Sequence, residues 1–158
     1  MEYKAQYQAY LAQAMEALDK ACDRFLPEES EVCRAARYSL LGGGKRIRAV
    51  LVLSVCDMLG GDMRAAEQFA AAVEMLHCYS LIHDDLPCMD NDDLWRGRPS
   101  CHKAFGEATA MLAGDVLLTE AFEVIANAPA EPQACVSAAR ALGAGAGSRG
   151  MVYGQELD

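Results

Sequence analysis

No stretch of the 158 residues reaches the length of uninterrupted apolar sequence that a membrane span needs. The N-terminus, MEYKAQYQAYLAQAMEALDK, carries charge from its second residue and so lacks the apolar centre of a signal peptide. Basic residues are scarce: 14 Lys and Arg stand against 23 Asp and Glu, for a formal net charge of -9 and a pI near 4.8. That balance argues against a nucleic-acid surface, which draws on clustered cations to meet phosphate backbones. Paired cysteine spacing is also missing. The 7 cysteines, Cys22, Cys33, Cys56, Cys78, Cys88, Cys101 and Cys135, are odd in number, scattered, and form no C-x-x-C. A reducing, cytoplasmic setting fits this usage best.

Alternation of the strand type is hard to find, whereas alanine, leucine, methionine and glutamate abound, and this reads as all-α. With 53% hydrophobic and 23% charged residues, the chain can bury the core of one domain. Periodicity and breakers predict helices over 3–25, 28–41, 44–59, 63–86, 107–126 and 131–143. The breaks fall at Gly42 to Gly44, at Gly60, Gly61 and Asp62, at Pro87, and over Asn127 to Pro132. Glycines 143, 145, 147 and 150 loosen the pattern, after which SRGMVYGQELD begins a further helix. Helices this apolar need neighbours on several sides, so residues 1–158 read as part of a larger helical unit.

The segment IHDDLPCMDNDDLWRGRP concentrates Asp84, Asp85, Asp90, Asp92 and Asp93. Because Pro87 cannot continue the preceding helix, Asp84 and Asp85 belong to its last turn, where carboxylates oppose the helix dipole and each other. A hard divalent cation would relieve this, and Mg2+ takes one or two carboxylates while filling its shell with water and substrate phosphates. An arbitrary acidic run is most often a solvated loop. This one follows an apolar helix carrying His77 and Ser80 on the face of Asp84, which favours the metal. A calcium loop starting at Asp90 fails, since Leu94, Trp95 and Cys101 stand at its ligand and glycine positions. His77, His83, Cys88, Cys101 and His102 supply zinc-type donors without a recognised spacing.

LLGGGKRIR, Leu40 to Arg48, places Lys45, Arg46 and Arg48 at a helix start, where the dipole disfavours positive charge. An anion would settle them. Glycines allowing close approach, free N–H groups, and Lys45 with Arg48 on one face make a diphosphate cradle, with Arg46 pointing to solvent. The P-loop and dinucleotide patterns both fail at Ser39, Arg46 or Ile47. A plain helix-to-helix turn with wet cations is the alternative.

Taken together, GGGKRIR, EMLHCYSLIHDDLPCMDNDDLWRGRPSCH and FGEATAMLAGDVLLTEAFE closely resemble the N-terminal half of bacterial-type trans-prenyltransferases, the polyprenyl synthetase family, on its farnesyl diphosphate synthase branch. The resemblance spans roughly Leu40 to Asp158. It implies an all-α isoprenoid synthase bundle around a deep cavity, present here as the N-terminal portion of a single domain, and a homodimer in the full-length protein. Asp84, Asp85 and Asp90 match the first aspartate-rich motif, which holds Mg2+ against the allylic diphosphate. Gly44, Lys45, Arg48, His77 and Arg96 match the isopentenyl diphosphate site.

The implied reaction is a head-to-tail condensation of isopentenyl diphosphate with dimethylallyl or geranyl diphosphate. Tyr79, about 7.5 Å before Asp84 along its helix, matches the aromatic that limits the product to C15. A geranylgeranyl diphosphate synthase and a non-catalytic partner subunit are the alternatives. Two departures stand out. Trp95 replaces the first of two arginines, the one that contacts the allylic diphosphate in the family, which implies weaker allylic binding. No second DDxxD occurs, although Gln155 and Asp158 resemble the G-Q-x-x-D helix that precedes it. The chain by itself is therefore expected to be inactive.

Overall fold

The structure, a computed structural model, describes residues 3–157. It is a helical bundle: α1 Tyr3–Phe25, α2 Glu31–Leu40, α3 Ile47–Met58, α4 Met63–Asp84, α5 Cys101–Phe105, α6 Glu107–Ala126, α7 Pro132–Ala146 and α8 Met151–Leu157. Between α4 and α5 lie two short antiparallel strands, β1 Leu94–Trp95 and β2 Arg98–Pro99. The expected all-α class and the helix begun at SRGMVYGQELD are both present; Asp158, the last residue of that motif, lies outside the described residues.

Local chemistry sets the boundaries. Ser30 caps α2 by accepting from the Cys33 N–H at 3.3 Å, so α2 begins at Glu31, later than the expected residue 28. Asp62 caps α4 from the Arg64 N–H at 2.9 Å, and Pro132 opens α7 at its first turn. Helix α3 was expected from residue 44 and starts at Ile47, because Gly43, Gly44 and Arg46 all have positive φ (83°, 121° and 47°), which no right-handed helix admits. The hairpin and α5 were not expected at all. Arg96 and Gly97, with φ of 51° and 78°, make the two-residue turn that pairs Leu94 with Pro99 and Trp95 with Arg98.

Helix α4 occupies the centre, packed against α6, α3 and α1. Small residues let the helices close up: Ala71 and Ala72 on α4 share a core with Ala110, Ala113 and Ala121 on α6. The His83 ring lies so close over Gly114 that a Cβ there would overlap it. Leu18, Leu26, Leu40, Met75 and Leu117 are fully buried around this contact, each contributing about 1.5 to 3 kcal/mol of hydrophobic stabilisation. Ala14, Ala49, Leu53, Ala66 and Ala70 form a second, smaller core that joins α3 to α1 and α4.

Arg46, expected in solvent, is one of the most buried charges in the chain. Its side chain is 4% exposed and pairs at 3.4 Å with Glu74 on α4, itself 3% exposed. The guanidinium also donates to the Leu40 carbonyl oxygen and lies 3.5 Å from the Met15 sulfur. The second Glu74 oxygen accepts from the Ala49 N–H at 3.2 Å, so one carboxylate neutralises Arg46 and caps the inner side of α3. Removing one partner strands the other charge in the core. Glu74→Ala should therefore cost about 3 to 5 kcal/mol in urea denaturation, and a loss below about 1 kcal/mol would show the pair to be dispensable.

Candidate active site

The glycine turn dictates where its cations go. With Arg46 drawn inward by Glu74, Lys45 and Arg48 are left on the exposed side at the start of α3. The Tyr7 hydroxyl from α1 donates to the Lys45 carbonyl oxygen at 2.5 Å and steadies the turn. Helix α4 brings His77 to the same place, and the hairpin brings Arg96, whose Nη1 donates to the Gly43 carbonyl oxygen. The guanidinium lies directly over Gly44, where any Cβ would overlap it. Gly44, Lys45, Arg48, His77 and Arg96, matched separately from the sequence, thus line one cavity of about 360 Å3, together with Arg46 and Glu74.

His77 reports the field in this cavity. Burial, then Arg48, with smaller effects from Arg96 and Arg46, push its pKa below the ordinary 6.5, and only Glu74 acts the other way. These causes favour the neutral imidazole. One of the α3 N-terminal N–H groups is already engaged, because that of Ala49 is spent on Glu74.

At the far end of α4, Asp84 is the last helical residue and Asp85 the cap. The loop then folds back: the Asp90 N–H donates to the Asp84 carbonyl oxygen at 2.9 Å, while the Met89 and Asn91 N–H groups share the Leu86 carbonyl oxygen. Burial first, and then Asp92, Asp84 and Asp90, raise the Asp85 carboxyl to about 6. Asp93 belongs elsewhere. It pairs with Lys103 at 2.7 Å, which holds it below the usual carboxylate range.

Among the described residues no three His, Cys, Asp or Glu side chains form a closed ligand cluster. The acidic loop nevertheless suits Mg2+, which needs only one or two protein carboxylates beside water and phosphate oxygens. Its donors are all hard oxygens, and the charges acting on Asp85 are all negative. The zinc-type donors are dispersed: His83 Nε2 meets the Met111 carbonyl oxygen at 2.9 Å, His102 Nδ1 meets Ser100 Oγ at 3.0 Å, and Cys101 donates to the Ala35 carbonyl oxygen at 3.8 Å.

An apolar cleft of about 270 Å3 runs beside the acidic end, lined by Asp84, Tyr79, Leu86, Met89 and Met111, with Met151 and Gln155 of α8. The Gln155 amide donates to Asp84 Oδ1, which ties α8 to the aspartate motif. Tyr79 is buried at 8% exposure, its ring edge-on to His83 at 5.7 Å between centroids. His77 in the cationic cavity and Ser80 and Asp84 in the cleft share one face of α4, with His77 and Asp84 about 10 Å apart along the axis. Sequence reasoning missed Glu74. A single acid inside the apolar run AAAVEMLH was the available signal.

The profile of the polyprenyl synthetases matches residues 29–157. The chain belongs to that family. It is 52% identical over 136 residues to a farnesyl diphosphate synthase of Micrococcus luteus, covering 86% of this chain and 47% of the relative. It is 48% identical over 158 residues to a chloroplastic heterodimeric geranylgeranyl pyrophosphate synthase large subunit of Arabidopsis thaliana, covering 96% of this chain and 43% of the relative. The crystal structure of a geranyltransferase from Legionella pneumophila superposes with a TM-score of 0.92 at 42% identity, covering 98% of this chain and 55% of that one. The chain therefore spans about half the length of these polyprenyl synthetases, and its isoprenoid synthase fold is established over that part.

A depressed histidine pKa has a definite sign. As pH falls through 6.5 the unfolded chain binds a proton that folded His77 resists, so this group's effect is to lower stability on acidification. An anion in the cavity should do the reverse and favour the imidazolium. In an NMR titration the His77 midpoint should lie below 6.5 and rise when inorganic pyrophosphate is added; an unchanged midpoint would show that the cavity does not take diphosphate.

Proposed function

We propose that this chain supplies the substrate-binding portion of a trans-prenyl diphosphate synthase, Mg2+-dependent, that condenses isopentenyl diphosphate head-to-tail with dimethylallyl or geranyl diphosphate. The observation that carries the reading is the shared face of α4, with the cationic cavity at His77 and the acidic motif at Asp84. Lys45, Arg48, Arg96 and His77 hold and orient the isopentenyl diphosphate. Asp84, Asp85 and Asp90 would hold Mg2+, which when bound supplies charge that stabilises the departing allylic diphosphate. The cleft between Tyr79, Leu86 and Met111 keeps water from the allylic chain. The allylic carbon–oxygen bond breaks, the isopentenyl double bond supplies the electron pair for the new carbon–carbon bond, and a proton passes to the departing diphosphate.

The product proposed is farnesyl diphosphate, supported by the 52% identical relative and by Tyr79 in the cleft. Geranylgeranyl diphosphate is the second reading, favoured by the 48% identical large subunit. That relative's name also makes a heterodimer the alternative to the homodimer we propose. A cytoplasmic location is part of the same proposal. The resemblance puts the second aspartate-rich motif outside these 158 residues, so the chain by itself should bind diphosphates without condensing them.

Calorimetry on this chain tests the reading. Isopentenyl diphosphate should bind without metal and lose roughly tenfold in affinity or more in Arg48→Ala, given about 1.5 to 3 kcal/mol for a charge-assisted hydrogen bond. Geranyl diphosphate should need Mg2+ and lose it with Asp84→Asn. Metal-independent binding of both would refute the division of labour. In a synthase containing this chain, Tyr79→Ala should lengthen the product in chromatographic analysis, and an unchanged C15 product would remove the ring from chain-length control.

A further inference from the structure

Trp95 stands where the resemblance implies an arginine, and its contacts give it a part of its own. The Arg96 guanidinium carbon lies 4.2 Å from the Trp95 ring centroid. The indole also packs on Gly42, where a Cβ would come within 2.5 Å of the ring. Arg96 is thus enclosed: the ring stacks on it, the Gly43 carbonyl oxygen accepts from it, and Gly44 leaves the space it fills. We propose that Trp95 is a positioning residue for the cationic cavity, an aromatic clamp that holds Arg96 against the glycine turn before any diphosphate enters.

The chemistry of the cavity explains why a neutral ring suits the position. Arg96 sits among Lys45, Arg46 and Arg48, and mutual repulsion would drive a freely moving guanidinium into solvent. The face of an indole attracts a guanidinium through its quadrupole without adding negative charge that would compete with the anion. A carboxylate could hold Arg96 as well, but only by neutralising it. Burial and the nearby Arg46 lower the Arg96 pKa, as expected for a cation held in place beside others. The hairpin sets the geometry, because the left-handed turn at Arg96 and Gly97 returns the chain immediately and keeps the guanidinium on the neighbouring ring.

This inference rests on the reading that the cavity takes a diphosphate, and its test separates the two. Trp95 is the only tryptophan in the chain, so its fluorescence reports directly on the stacked pair. Inorganic pyrophosphate and isopentenyl diphosphate are titrated into the 158-residue protein, followed by emission and by calorimetry, with thermal melts as the control for folding. Trp95→Ala should weaken pyrophosphate binding about two- to tenfold, and Trp95→Phe should restore most of it. In an Arg96→Gln background the loss from Trp95→Ala should vanish, which a merely structural role would not produce. Wild-type affinity in Trp95→Ala, or an equal loss in both backgrounds, overturns the clamp while leaving the diphosphate reading intact if Arg48→Ala still weakens binding. A wild-type chain that binds no pyrophosphate overturns both.

Discussion

The buried contact between Glu74 and the start of α3 is the constraint on which the cationic cavity of this molecule depends. One carboxylate, 3% exposed, meets Arg46 at 3.4 Å and the Ala49 N–H at 3.2 Å. Of the cations in GGGKRIR, this selects Arg46 for the interior and leaves Lys45 and Arg48 to face outward. Without an internal acid, all would compete for the same anion and repel one another at a helix end that already carries partial positive charge. Glu74 therefore acts on the geometry of a site in which its own charge is mostly spent. It lies one helical turn before His77, so the residue that organises the turn and the residue that lines the cavity share one element.

Much of this was legible without coordinates. Alanine-rich periodicity and glycine breaks locate the long helices, and the residues of GGGKRIR matched from the sequence do line one cavity with His77 and Arg96. The rest depended on long-range geometry. The direction of Arg46 follows from positive φ at Gly43, Gly44 and Arg46 and from an acid 28 positions away, and no local pattern encodes that combination. The hairpin rests on an Arg-Gly turn with two positive φ values, a weaker signal than the Asn-Gly or Asp-Gly pair that usually marks one. Trp95 read as a lost charge in one dimension. In three dimensions it is a contact made to the next residue.

The same division applies among the aspartates. Asp90, Asp92 and Asp93 look equivalent in DNDD, yet Asp93 is tied to Lys103 and serves the hairpin, while Asp90 is returned to Asp84 by a backbone hydrogen bond. Loop closure brings the Asp90 backbone back to the end of α4, and Pro87, which cannot continue that helix, makes the closure possible.

The acidic loop holds charge in an unfavourable state. Asp85 has its carboxyl raised to about 6, first by burial and then by its fellow carboxylates. A raised carboxyl means that ionisation opposes folding. The cost is present above pH 6 and disappears as pH falls through 6 toward the ordinary 3.8. A protein that needed only stability at neutral pH could place an asparagine there at no electrostatic cost. Retaining the acid makes sense when a cation arrives with the substrate, because relief of the repulsion then adds to the binding of the pair. Seven residues before Asp84 on the same helix face the sign is reversed: Lys45, Arg48 and Arg96 are crowded around His77, whose pKa burial, Arg48 and Arg96 lower, and an anion would relieve them. One helix face thus carries two opposite charge imbalances about 10 Å apart, and on the proposed reading a metal-bound diphosphate at Asp84 with a bare diphosphate at His77 would relieve both.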